Sequence, residues 1–91
     1  MPPAVQDNPP QHRFEATIDG HLAQVSYRVH GNVMTLVRTD VPEALKGQGV
    51  AGALVQAALD HARAHAMKVD PVCTYAKAYM ERHPESMALH V

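Results

Sequence analysis

Residues 42–54 read PEALKGQGVAGAL, that is Pro42-Glu-Ala-Leu-Lys-Gly-Gln-Gly-Val-Ala-Gly-Ala-Leu54. Three of the chain's five glycines fall within residues 47–52, at the point where the hydrophobic period changes. Downstream, Val50, Leu54, Ala58 and Ala62 recur at every fourth residue, and Ala51 and Val55 widen the stripe. That spacing predicts an amphipathic helix from Gly47 to about His65, with an alanine face suited to close packing on a sheet. Glycine inside a helix costs about 1 kcal/mol relative to alanine. Glycines at the mouth of the longest helix therefore need a reason.

Upstream the period is two. Phe14, Ala16 and Ile18 alternate with Arg13, Glu15 and Thr17, which predicts a first strand from Arg13. Asp19-Gly20 is a hairpin signal, because both central positions of a type I′ turn need positive φ. A second strand over 22–29 sets Ala23, Val25, Tyr27 and Val29 against Gln24, Ser26 and Arg28. Gly31-Asn32 turns the chain again, and a more continuously apolar third strand follows over 33–39, as expected of a central position. Beyond the helix, 67–72 predicts a fourth strand ended by Pro71, which cannot donate in a ladder. A shorter helix over 74–82 stops at His83 before Pro84, and 86–91 could add a short extended piece. Residues 1–12 hold four of the seven prolines and no period, so a flexible tail is expected there and one domain over 13–91. The order is β-β-β-α-β-α, an α/β (α+β) fold. Its third and fourth strands are parallel because a helix connects them, giving a mixed antiparallel/parallel sheet with two helices packed on it.

Composition narrows the functions available. Eight Lys and Arg against nine Asp and Glu give a net charge of -1, so no basic field exists to hold a nucleic-acid backbone. One cysteine excludes an intrachain disulfide. No apolar run approaches the ~20 residues that span a bilayer, and the N-terminus lacks the basic start and apolar stretch of a secretory signal. A cytoplasmic protein, monomeric or weakly dimeric, is expected, with no nucleic-acid or membrane partner.

In a strand–helix–strand unit the loop leading into the helix lies at the carboxyl end of the sheet, where open α/β folds bind ligands. The helix start there presents unpaired N–H groups and the positive end of the helix dipole. Gly47, Gly49 and the Ala51-Gly52 pair strip side chains from that surface, so a phosphate could reach the backbone itself. Alternatively, Gly47 merely shapes a turn, and Gly49, Ala51 and Gly52 relieve crowding of helix against sheet. No Gly-Lys-Ser/Thr closes a P-loop, and the G-x-G-x-x-G order of a dinucleotide fold is missing.

Lys46-Gly-Gln-Gly-Val-Ala51, after a strand and opening a helix, resembles the acyl-CoA pyrophosphate loop of the GNAT acetyltransferases, [Q/R]-x-x-G-x-[G/A]. Gly49 falls on the glycine and Ala51 on the last small residue, while Lys46 stands where Gln or Arg is usual. Arg13-Phe-Glu, Thr39-Asp-Val-Pro42, Val69-Asp-Pro-Val-Cys73 and Tyr79-Met-Glu-Arg-His-Pro-Glu85 extend the likeness over 13–85 to the small single-domain GNAT-like subfamily. The resemblance implies a minimal N-acetyltransferase that moves an acetyl group from acetyl-CoA to an amine on a small molecule or a protein. The alternative is a module that binds acyl-CoA without transfer. It further implies a coenzyme site formed by Val41, Lys46, Gly47, Gln48, Gly49, Val50, Ala51, Gly52 and Tyr79, and a cysteine, Cys73, close to the coenzyme's thiol.

Such chemistry needs a grip on the pyrophosphate, a donor to the thioester oxygen, a base for the amine and a proton for the leaving sulfur. The resemblance puts the oxygen's donor on the main chain near Asp40 or Val41. Cys73 follows the fourth strand and begins the second helix, a placement that can favour a reactive thiol; the alternative is a buried structural thiol. Asp40, ending the third strand, is a candidate base or else a turn residue. The superfamily's N-x-x-A-x-x-x-Y pattern keeps Ala76 here but has Met80 in the tyrosine's place, with Tyr79 about 100° round the helix from it. Tyr75 and Tyr79 could both be packing residues. His61 and His65 stand four apart with no third ligand in view, so a solvated face is expected and no metal. The superfamily builds its acceptor wall from segments before the first strand and after the second helix. With little of either here, a large acceptor or a pocket completed by a second subunit is expected.

Overall fold

Two tight turns set up the sheet. Asp19 and Gly20 both hold positive φ, at 51° and 79°, the pairing a type I′ hairpin turn demands, and Gly31 alone supplies the positive φ of the second turn, at 61°. In the computed structural model, which describes residues 4–91, these turns join β2 (Arg13–Ile18), β3 (His21–His30) and β4 (Val33–Asp40) into an antiparallel meander. Helix α1 (Val50–Ala64) then carries the chain to β5 (Lys68–Pro71), which pairs parallel with β4, and α2 (Thr74–Arg82) follows. The mixed sheet and the helix connection are as the periodicity predicts. Helix α1 begins at Val50 rather than Gly47, because Gly47 and Gly49 both lie in the left-handed region that a right-handed helix cannot contain. No helix among the described residues is long and apolar enough to cross a membrane.

The expected tail is the main correction. Residues 1–3 lie outside the described residues, but Gln6–Asn8 form a strand, β1, antiparallel to β2, and Pro9–Gln11 a single 3-10 turn. The sheet therefore has five strands in the order β1-β2-β3-β4-β5. Tertiary contacts hold β1 where local propensity does not. Asn8 Nδ2 and Arg13 Nε both donate to Glu15 Oε1, at 2.8 and 2.7 Å. The Arg13 hydrogen bond first, and then that of Asn8, hold the Glu15 carboxyl below its usual range. Tyr27 Oη donates to Asp7 Oδ1 at 2.7 Å. Burial, reinforced by that bond, pushes the Tyr27 phenol up to about 12.

A raised phenol favours the neutral ring in the folded state, so its stabilisation is complete below the unfolded value of 10.0 and is lost as pH climbs toward the folded one. Tyr27→Phe is expected to cost about 1 kcal/mol at neutral pH. In urea melts the gap between variant and parent should close between pH 10 and about 12.

Each long strand buries alternate residues: Phe14 and Ala16, then Ala23, Val25 and Tyr27, then Met34 and Leu36. These meet Leu54, Val55, Ala58, Leu59 and Ala62 of α1 and Ala76 and Met80 of α2 in one core. Both helices thus cover one face of the sheet, and the opposite face is left to solvent. The register shifts between Ser26 and Tyr27, because Leu36 faces Tyr27 while Arg38 faces Ser26. Val37 is the extra residue of a β-bulge, which bends its strand. Pairing of β4 with β5 ends at the same level, at Leu36 and Pro71, so residues 37–40 run on with no β5 partner and a wedge opens between the two strands. The expected extended piece over 86–91 is instead a 3-10 segment, Pro84–Leu89, followed by one parallel bridge from His90 to Val69.

Candidate functional site

The wedge leads into a cleft of about 610 Å³ between the end of β4 and the start of α1. Its walls are residues 39–41, Leu45, Lys46, Gly47, Gly49, the first helical turn over 50–52, and Tyr75. The first intrahelical bond of α1 runs from Ala53 N–H to Gly49 C=O at 3.1 Å, and no side chain caps the helix. The N–H groups of Val50, Ala51 and Gly52 therefore have no helix partner, and they sit at the positive end of a four-turn dipole.

The glycines divide into two kinds. Gly49 has φ 76° and a Cβ added there would meet nothing within 4 Å; Gly47, at 80°, is the same. Neither relieves crowding, because there is none to relieve. Gly49 serves a backbone conformation that keeps the mouth of α1 bare. Gly52 belongs to the helix, and a Cβ there would touch Tyr75 Oη and Tyr79 Cε2 at 3.5 Å each, an ordinary contact. Gly52→Ala is accordingly expected to stabilise the protein by about 0.5 kcal/mol through helix propensity. A melting midpoint a few degrees higher would show it, and a lower one would mean that α1 and α2 need the gap.

The other residues expected at the coenzyme site are spread over several roles. Val41 lines the cleft where the wedge begins. Lys46 stands at the rim, its Nζ 3.1 Å from the exposed Glu43 carboxylate. Gln48 is exposed and donates to Ala44 C=O at 3.2 Å. The Val50 side chain is 1% exposed and packs in the core, leaving only its backbone to the cleft. Tyr79 is turned away, with its hydroxyl donating to Gln56 Oε1 at 2.6 Å and its ring stacked on His83. Burial raises its phenol above the usual range. Tyr75, for which the sequence left packing open, lines the cleft.

Cys73 is the N-cap of α2, buried, and held by its N–H to Leu36 C=O at 2.8 Å. Its Sγ lies 3.2 Å from Thr39 Oγ1, so the thiol of one wall of the wedge meets a hydroxyl of the other. Thr39 faces Val25 across the sheet and so points to the helix side. The sequence gives no sign of this contact, because nothing local links positions 39 and 73. Asp40 lines the cleft and is oriented by Arg38 Nε, which donates to its Oδ2 at 2.8 Å on the exposed surface. His61 and His65 stack at 4.1 Å on α1, away from this site. The site thus combines a bare helix mouth, a thiol–hydroxyl pair at the base of a strand wedge, and an exposed carboxylate at its edge.

Comparison with known proteins bears on the same segments. A family model described as GCN5-related N-acetyl-transferase matches residues 13–89. Protein NATD1 of Mus musculus is 29% identical over 86 residues, covering 91% of this chain and 78% of that protein. Protein NATD1 of Homo sapiens is 35% identical over 52 residues, covering 57% of this chain and 46% of its own length. The NMR solution structure of a GCN5-like protein from Staphylococcus aureus superposes with a TM-score of 0.76 at 27% identity. That match covers 97% of this chain and 87% of the other.

Proposed function

The chain belongs to the GCN5-related N-acetyltransferase family, and from that premise we propose that it transfers an acetyl group from acetyl-CoA to an amine. The observation that carries this proposal is the bare, uncapped start of α1, opening on a cleft that no side chain fills. Backbone donors at a helix start with room before them suit a diphosphate, and that is the fit this chain's residues offer acetyl-CoA. Its pyrophosphate would rest on the N–H groups of Val50, Ala51 and Gly52, with Lys46 adding charge at the rim. Once bound, it supplies an activated acetyl thioester.

This chain's own residues then have four tasks. The wedge between β4 and β5 admits a slender arm and keeps water from its base. Main-chain N–H groups at Asp40 or Val41 stabilise charge that grows on an oxygen, as an oxyanion hole does. Asp40, steadied by Arg38, takes a proton from the amine. Cys73 holds a proton beside the position of the leaving sulfur, and the Thr39 hydroxyl fixes its direction. Tyr75, at the cleft wall, is the phenol nearest to hand where Met80 replaces the family's tyrosine. A lone free thiol at such a site fits a reducing compartment, which supports the cytoplasm as the place of work.

Incubation with acetyl-CoA and a panel of amines, read by mass spectrometry, tests the proposal. Acetylated amine with matching release of free coenzyme is the expected result. Tight binding without turnover on any amine would leave a module that only holds acyl-CoA.

A further inference from the structure

A second cleft, of about 510 Å³, lies on the helix-free face. Strand β3 continues to His30, but its pairing with β2 ends at Arg13 and Ser26. The chain before β2 crosses the gap: His12, at φ 54°, accepts from Tyr27 N–H at 2.9 Å. Gln11 and His12 thereby wall a hollow whose floor includes Ser26, Arg28, His30 and Val37. Two features set its chemistry. It carries Arg28 and two histidines, and no acidic residue lines it among the described residues. Among the described residues Arg28 makes no salt bridge, whereas Arg13, Arg38 and Arg63 each pair with a carboxylate. Val37, on the same outward side, is also 37% exposed at its edge, apolar surface beside that cation.

The hollow joins the proposed site along one row of residues. Gln24, Ser26 and Arg28 share the outward side of β3; Gln24 faces Asp40, and Ser26 faces Arg38, whose carbonyl accepts from Ser26 Oγ at 3.3 Å. From Gln24 to Arg28 the strand advances about 13 Å, and the arginine's own side chain can close part of that distance. The geometry points to an acceptor that is an ω-amino carboxylate: its amine at Asp40, its hydrocarbon chain along Val37, its carboxylate on Arg28 with His12 and His30 as further donors. An α-amino acid, whose two charged groups sit on one carbon, cannot reach both ends.

This inference rests on the proposed acetyl transfer. In that transfer the N–C bond forms and the C–S bond breaks, while the amine's proton passes to Asp40 and the thiol proton of Cys73 to the departing sulfur. Solvent then restores both groups.

The test uses the whole protein, 15N-labelled, titrated separately with coenzyme A and with 6-aminohexanoate. The amino acid should shift amides over 26–30 and at Val37, and 6-aminohexanamide, its neutral analogue, should shift them far less. In transfer assays the carboxylate should exceed the amide in kcat/KM by about tenfold, the worth of one charge-assisted contact at an exposed site. Arg28→Gln should erase that preference, bringing kcat/KM for the carboxylate down to about that for the amide. Equal use of the two compounds by the parent, shifts confined elsewhere, or binding in the hollow with no transfer would each overturn the inference. Transfer to the other amines of the panel, together with coenzyme shifts over 47–52, reports on the proposed acetyl transfer separately, so the acceptor assignment can fail while that proposal stands.

Discussion

Gly49→Val is expected to weaken coenzyme A binding about a hundredfold, the loss of roughly two charge-assisted backbone contacts, while the protein still folds. Two effects act together. A left-handed φ of 76° costs a side-chain-bearing residue about 1–2 kcal/mol, and a β-branched residue suffers most. The backbone can relieve that strain only by turning the N–H groups of 50–52 out of their present array. The valine methyls would also occupy space that now holds no protein atom within 4 Å of the added Cβ, which is the space a phosphate needs. Gly49→Ala separates the two effects, since it brings the strain with little bulk and should lose less affinity. Calorimetry with coenzyme A measures both. If the valine variant bound as tightly as the parent, the helix mouth would not be the diphosphate site.

Cys73→Ala carries the second large effect. Positioned proton transfer contributes about 10²–10⁴-fold to rate, so the turnover number should fall at least a hundredfold with affinity for coenzyme A nearly unchanged. The structural case for a specific role is the pairing with Thr39 at 3.2 Å, made where β4 and β5 have already parted. A thiol that only filled space would have no need of a hydroxyl there. Thr39→Val, which keeps the shape and removes the hydroxyl, should produce a smaller loss in the same direction. Rapid quenching followed by mass spectrometry of the parent distinguishes proton donor from nucleophile: an acetyl group found on Cys73 would move it from the first role to the second. A Cys73→Ala protein that transferred at the parent's rate would return the thiol to packing alone.

Much of the architecture is legible because it rests on local chemistry. Asp19-Gly20 dictates a hairpin almost unaided, and the change of period at residue 50 marks the switch from sheet to helix. Strand β1 was hidden because nothing local favours it. It exists through Asp7 meeting Tyr27 and Asn8 meeting Glu15, contacts made across the fold. The bulge at Val37 was hidden for another reason: within a continuously apolar strand, one extra residue leaves no break in the pattern. At the site, the bare loop was visible in its glycines and the thiol in its place before a helix. The exchange of Tyr79 for Tyr75 was not, because residues four apart share nearly one helix face, about 40° from each other, and only the docking of α2 decides which turn of it meets the cleft. Val50 shows the limit of loop motifs, since a residue can offer its backbone to a ligand while its side chain belongs wholly to the core.

The bulge has one more consequence. By adding a residue to β4 it turns Val37 toward one side of the molecule and Thr39 toward the other, so a single strand borders two entrances. Were the acetyl donor to use one and the amine the other, as proposed, neither would obstruct the other's path. Initial rates measured with both reactants varied should then show no fixed sequence of loading.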